Sequence, residues 1–176
     1  NLVEKYNIDR ISQDTFALWS QEKVEKAIKN GFFDDEIVPV SIPQRKKDPI
    51  LFGKDEFPRP NSTMESLGGL RAVFKKEGSV TAGNSSGLND GAAALLIASE
   101  KALKENSLKP LARIVSAAVA GVEPRIMGIG PVYASQKALK QAGLTLDDMD
   151  VIEMNEAFSA QVLACSRTLG LEDNDS

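Results

Sequence analysis

The chain contains no histidine. That absence removes the commonest general base, every His-containing catalytic triad and most zinc sites. Any enzymatic reading has to account for it. There is one cysteine, Cys165. No internal disulfide can form, which suits a reducing compartment and predicts a cytoplasmic protein. No apolar run approaches the ~20 residues that cross a bilayer, and no metal-ligand pattern stands out. Basic runs stop at Arg45-Lys46-Lys47 and Lys75-Lys76, and the net charge is only −4. Such short runs read as solvated surface, not as a nucleic-acid footprint. The first residues, Asn1-Leu2-Val3-Glu4-Lys5, lack a secretory pattern. They also lack a methionine, so the chain is expected to begin inside a longer protein or after processing.

What is present is ordinary in bulk. Hydrophobic residues make up 42% and charged residues 26% of 176 positions, a globular composition sufficient for one domain or parts of two. Asp9 is placed to cap a helix from about Arg10 to Asn30, with Gly31 as its stop. Phe16, Trp19, Lys23, Ala27 and Ile28 give that helix one mixed face. Val38, Val40 and Ile42 alternate with Pro39 and Ser41 as a strand, and Pro39 suits an edge. From Gln44 to Thr63, Pro49, Pro58, Pro60 and many charges predict a long surface connection. Leu67, Leu70 and Phe74 mark a short amphipathic helix ended by Gly78.

The second half alternates strand and helix. A helix is predicted through Leu95, Leu96, Ala98, Ala102 and Leu103 to about Asn106. Ile114 to Ala120 is small and apolar on both faces, the pattern of a buried strand. Glu123 to Pro131 is a loop punctuated by glycine and proline. Tyr133 to Ala142 reads as a helix stopped by Gly143, and Val151 to Met154 as a strand. Ala157 to Leu169 is a helix with Phe158, Val162, Cys165 and Leu169 on one face. Glu172 to Ser176 is polar and expected to fray. The alternation argues an α/β fold. The last strand–helix pair has no following strand to complete a crossover unit, and no internal repeat is visible.

Three short motifs carry chemistry. Gly83, Gly87 and Gly91 are spaced by four within Val80 to Ala94, with Asn84, Ser85, Ser86 and Asn89 between them. Glycines permit close backbone approach to a ligand, and loop N–H groups ahead of a helix can hold a polar group. The spacing is neither a Walker A loop nor a dinucleotide fingerprint, and on spacing alone a purely structural turn is the better reading. Met154-Asn155-Glu156-Ala157-Phe158 lies where a strand gives way to a helix, the end at which open α/β sheets place ligands. Asn155 either caps that helix or supports a water or carbonyl through its amide. Glu156 either orients a neighbour or favours the helix N-terminus electrostatically. Met127-Gly128-Ile129-Gly130-Pro131 is a tight loop offering a soft apolar contact or simple packing. Cys165 sits on an apolar helix face and reads as a buried structural thiol. Asp147-Asp148 reads as helix-end surface charge.

Together and in this order, the motifs resemble those of thiolases. Gly83 to Ala94 is similar to the family's Gly-Asn-Ala-Ser-Gly-x-Asn-Asp-Gly-Ala signature, with Ser85 in place of the usual Ala. Asn155 to Phe158 is similar to the Asn-Glu-Ala-Phe motif. Glu36 to Val40, Leu111 to Ile114 and Gly128 to Pro131 also resemble family sequence. The resemblance covers essentially the whole chain. It implies a partial thiolase fold: a loop domain and CoA-binding region over residues 1–88, the end of the first thiolase-like half over 89–109, and the start of the second over 110–176.

The same resemblance implies roles. Ser86 would hydrogen-bond the pantetheine arm of coenzyme A, with Ala82 against it. Phe74 and Met127 would line its apolar tunnel. Arg59 and Ser66 would meet the nucleotide end. Asn155 would hold the catalytic water of an oxyanion hole, and Phe158 would pack near the acyl site. Coenzyme A and acyl-CoA enter as substrates, with no tightly bound cofactor and no metal. The family's nucleophilic Cys, its Gly-His-Pro motif and its late Cys motif are absent, and Cys165 does not match them. The implied enzyme is an acetyl-CoA C-acyltransferase of fatty acid metabolism, a homodimer or homotetramer as the full protein, without nucleic-acid or membrane partners. The chain alone is expected to be inactive. A truncated CoA-binding or assembly module, or a remnant that folds only with partner segments, remains open. Phe57 to Pro60 and Gly121 to Arg125 are similar to degradative 3-oxoadipyl-CoA thiolases. The rest fits acetoacetyl-CoA enzymes equally.

Overall fold

The computed structural model describes residues 1–173. The last three residues of the expected frayed tail, Asn174, Asp175 and Ser176, lie outside the described residues. The chain divides into two compact units. One joins Asn1–Gly87 to the described residues from Asn155 onward, and the other is Leu88–Met154.

The first unit is built on α2 (Arg10–Lys29). The short α1 (Leu2–Tyr6) precedes it and ends at Asn7 in the left-handed region. Asp9 caps α2 as predicted, accepting from the Ser12 N–H at 2.7 Å. α3 (Met64–Gly68) and α6 (Ser159–Leu169) pack on α2. Every residue from Ser159 to Cys165 is buried. Small side chains at Ser159, Ala160 and Ala164 let α6 sit at the centre of the unit. Val162, Leu163 and Cys165 join Ile8, Phe16, Ala17 and Leu67 in the core. Gly170 takes φ 79° and stops the helix, a conformation in which glycine carries no steric penalty. The single sheet among the described residues is an antiparallel hairpin, β1 (Val40–Gln44) and β2 (Lys47–Phe52), pairing Val40 with Phe52 and Ile42 with Ile50.

The second unit has less regular structure. α4 (Glu100–Glu105) is capped by the Ser99 hydroxyl. A 3-10 stretch over Pro124–Ile129 runs into α5 (Gly130–Ala142). Pro131 stands in the first turn of α5, where its missing N–H costs nothing, and Gly143 ends the helix at φ 70°. Ile129 and Val132 are fully buried.

Several elements differ from expectation. The connection after Gln44 is not wholly irregular, because β2 forms within it despite Pro49. A two-stranded ribbon leaves both outer edges unpaired, so proline is tolerated there. The helix marked by Leu67, Leu70 and Phe74 ends at Gly68, where two adjacent glycines break it. The helix predicted through Leu95 and Leu96 starts only at Glu100, after the Ser99 cap. Residues 112–120 and 151–154 form no ladder. They carry a buried strand's composition, yet Ile114, Val115, Val119 and Val151 are exposed. A strand requires a hydrogen-bonded neighbouring strand, and among the described residues these segments have none; Ser116 and the Val119 carbonyl bond instead to α5 residues Ala138 and Lys137.

The cap chemistry predicts acid sensitivity. The Ser12 backbone N–H holds the Asp9 carboxyl below its ordinary value, and the Thr145 N–H does the same for Asp148. A carboxyl depressed in the folded state stabilises fully above its unfolded pKa, and that contribution disappears as pH falls through the folded one. Stability from both caps should therefore fall away below about pH 4. Asp9→Asn keeps a capping oxygen without the titration. Its thermal midpoint should drop less between pH 5 and pH 3 than that of the parent; equal drops would exclude Asp9 as a source.

Candidate functional site

The glycine loop begins at Thr81, which is fully buried. Ala82–Asn84 form one 3-10 turn closed at both ends. The Asn84 side chain accepts from the Thr81 N–H at 2.8 Å, and the Thr81 hydroxyl accepts from the Gly83 N–H at 3.2 Å. The Asn84 amide nitrogen donates to Asp14 Oδ1 at 2.9 Å and to the Ser79 carbonyl at 3.1 Å. Asp14 is held in turn by Arg10 at 2.7 Å, whose fork reaches the Leu67 carbonyl at 2.6 Å. Gln13 donates to the Ser79 hydroxyl at 2.9 Å. The start of α2 thus fixes where the loop begins.

Beyond Asn84 the loop meets the second motif. Ser85 and Phe158 form an antiparallel bridge, and the Ser86 N–H donates to the Ala157 carbonyl at 2.9 Å. Two motifs about seventy residues apart therefore share one backbone junction. The Ser85 hydroxyl turns back to the Thr81 carbonyl at 2.7 Å. The Ser86 hydroxyl is exposed and makes no hydrogen bond within the described residues. Asn155 is exposed too, and its side chain has no partner among them. The N-cap of α6 is Phe158, three residues later. The capping alternative for Asn155 is thereby removed, and its amide is left available.

The apolar members divide. Phe74 and Phe158 make an edge-on ring pair at 6.1 Å, and Phe74 is 74% exposed. They form an open aromatic wall beside Ser85 and Ser86. Ala82 is exposed on the 3-10 turn. Met127 belongs to the other unit and is 76% exposed there.

Gly83 and Gly87 are close-approach positions. A Cβ on Gly83 would stand 2.6 Å from both Leu67 and Leu70, and one on Gly87 would stand 2.4 Å from the Phe57 ring. Phe57 thus lies against the loop. The Arg59 guanidinium is 5.7 Å from that ring. Its Nη1 donates to the carbonyls of Glu56, Phe57 and Pro58, and its backbone N–H donates to Gln21 of α2 at 2.7 Å. Ser66 is occupied differently. Its hydroxyl closes a capping box with Thr63, accepting from the Thr63 N–H at 2.9 Å.

The polar face of α2 was missed at the sequence level. Asp14 holds Asn84 of the glycine loop, Ser20 and Lys23 meet Glu156 of the second motif, and Gln13 and Gln21 hold the neighbouring Ser79 and Arg59. No local signal marks them, because their partners are distant in sequence. Among the described residues no acidic or cysteine cluster is placed to hold a metal ion, and no helix is long and apolar enough to cross a membrane.

The arrangement has counterparts. A thiolase N-terminal domain model matches residues 1–101, and a thiolase C-terminal domain model matches residues 108–175. The β-ketoadipyl-CoA thiolase of Acinetobacter baylyi is 55% identical over all 176 residues, which span 44% of its length. The crystal structure of the Bacillus anthracis acetyl-CoA acetyltransferase superposes with a TM-score of 0.94 at 53% identity, covering 98% of this chain and 43% of that one. Human mitochondrial 3-ketoacyl-CoA thiolase in complex with CoA gives 0.90 at 49% identity, over 98% and 42%. The chain thus spans less than half the length of the relatives it matches. With two domain models matching nearly all of it, and the glycine loop joined to Asn155–Phe158 as one structure, the chain belongs to the thiolase family.

Proposed function

We propose that this chain is the CoA-holding part of an acetyl-CoA C-acyltransferase whose nucleophile and general base lie in sequence outside it. The observation that carries this is the junction of Ser86 with Ala157. It places an unengaged serine hydroxyl, the unengaged Asn155 amide and the Phe74–Phe158 pair around one backbone contact. In this reading residues 1–88 are the loop domain and CoA-binding region. Residues 89–109 end one thiolase-like half, and 110–176 begin the other. Ser86 and Ala82 meet the pantetheine arm, Phe74 lines its channel, and Arg59 and Ser66 face the nucleotide. Phe158 packs near the acyl group. Asn155 holds the water that donates to the developing oxyanion.

The complete enzyme runs two acyl transfers. A cysteine thiolate attacks the 3-oxo carbon of 3-oxoacyl-CoA. The C2–C3 bond breaks, acetyl-CoA leaves after protonation of its carbanion, and an acyl-enzyme remains. The thiol of a second CoA then takes the acyl group and frees the cysteine. The substrate is a 3-oxoacyl-CoA, cleaved with CoA or formed by the reverse condensation with acetyl-CoA, in a cytoplasmic homodimer or homotetramer of fatty acid metabolism. This chain cannot run the first step. It has no histidine, and its one thiol, Cys165, is buried on α6.

Calorimetry with CoA tests the reading. The chain should bind CoA, and Ser86→Ala should weaken binding about tenfold, the order of one lost hydrogen bond to a ligand. Absence of binding by the parent chain would remove the CoA reading. An unchanged affinity in the variant would remove Ser86 from the site. Thiolysis of acetoacetyl-CoA by this chain alone would contradict the expected inactivity. A second reading, a non-catalytic CoA-binding module, is favoured by the burial of Cys165 and the lack of histidine. It predicts that the complete gene product binds CoA without turnover.

A further inference from the structure

The junction between the glycine loop and the Asn155–Phe158 segment is held at a third point. The Ser20 hydroxyl donates to Glu156 Oε2. Lys23 Nζ lies 3.9 Å from Glu156 Oε1. Each carboxylate oxygen therefore has its own partner. Ser20 and Lys23 are three positions apart on α2 and share a face. Lys23 is itself steered, because its ammonium sits 3.6 Å from the centre of the Trp19 ring. Trp19 in turn packs edge-on against the buried Phe16 at 5.9 Å. The line Phe16–Trp19–Lys23–Glu156 connects the core to the residue beside Asn155.

Glu156 is not the α6 cap, since Phe158 takes that place. Its carboxylate points its bonds away from α6 and onto α2. Meanwhile Gln13 and Asp14, nearer the start of the same helix, hold Ser79 and Asn84. α2 thus grips the glycine loop at one end and the second motif further along. The Ser86–Ala157 hydrogen bond closes the circuit.

We propose that Ser20 and Lys23 are positioning residues: by clamping Glu156 to α2 they fix the Asn155–Phe158 backbone in register with Ser86. An exposed ion pair at 3.9 Å contributes little by itself, so the effect is local geometry and not overall stability. The consequence for CoA rests on the binding reading above, but the clamp does not. Both can be measured on the same 176-residue chain.

Amide exchange at Ser86 reports the clamp directly, because its N–H closes the junction. In the double variant Ser20→Ala/Lys23→Met, Ser86 exchange should quicken about tenfold while α6 amides such as Leu163 keep their protection. Lys23→Arg, with Ser20 intact, should retain parental exchange. CoA affinity should follow the same order in calorimetry, falling in the double variant and persisting in Lys23→Arg. Unchanged Ser86 exchange in the folded double variant overturns the proposal. So does equal loss of protection at Ser86 and Leu163, which would mean general destabilisation. If the parent chain binds no CoA but Ser86 exchange responds as stated, the clamp stands and the CoA reading fails.

Discussion

Replacing Asn84 with alanine is expected to cost roughly 3–5 kcal/mol. The side chain is buried, and three partners depend on it. Alanine leaves the Thr81 N–H without an acceptor, and both the Asp14 carboxylate and the Ser79 carbonyl lose a donor. Each stranded buried group costs about 1–3 kcal/mol, and a carboxylate costs more than a carbonyl. The loss should appear as a fall of about 6–20 °C in the thermal midpoint. Asn84→Asp should do no better. Its second oxygen would face Asp14 Oδ1 across the 2.9 Å now bridged by an N–H, setting two carboxylates against each other. Ser85→Ala is the control. It removes one partly buried donor to Thr81 and should cost about 1 kcal/mol. If Asn84→Ala melts within a degree or two of the parent, the network is not what fixes the loop.

This network also shows what the sequence conceals. The glycine loop was legible as a motif, because glycine and asparagine at fixed spacing suggest close approach. Its support was not. Asp14 and Asn84 are 70 positions apart, and Ser20 and Glu156 are 136 apart. Nothing near Asp14 or Ser20 distinguishes a site-holding residue from ordinary helix surface. Helix ends were legible because their signals are local: Asp9 before α2 and Gly143 after α5 act within a few residues. The start of α4 is likewise set by a local signal, against the helix propensity that precedes it. Ala92 to Leu96 is rich in good helix formers, but Ser99 supplies the cap, and the helix begins there.

Strand content was the least legible part, because pairing is a property of neighbours. Ile114–Val119 has the composition of a central strand and Leu95–Ile97 that of a buried helix, yet both have the exposure of loops. In the longer enzyme proposed above, these faces would be covered and their backbone groups paired. In this chain the N–H groups of Leu95, Leu96 and Ile97 make no hydrogen bond within the described residues. The expected result is a very large contrast in amide exchange. Leu163 is buried within α6, and its exchange should require opening of the first unit. Leu95 to Ile97 should exchange near the rate of unstructured peptide. The ratio should be on the order of 10³ or more, as follows from a folded unit stable by about 5 kcal/mol beside a segment stable by almost nothing. Protease should cut first in the same segment. Comparable protection at Leu95–Ile97 and Leu163 would show that this segment has found partners within the chain. The complete gene product provides the complementary arm. If the proposed enzyme is correct, Leu95 to Ile97 should be protected there to nearly the level of α6. Fast exchange in the complete protein as well would remove the reading of this segment as covered and paired there, and with it one physical reason for treating the chain as part of a larger fold.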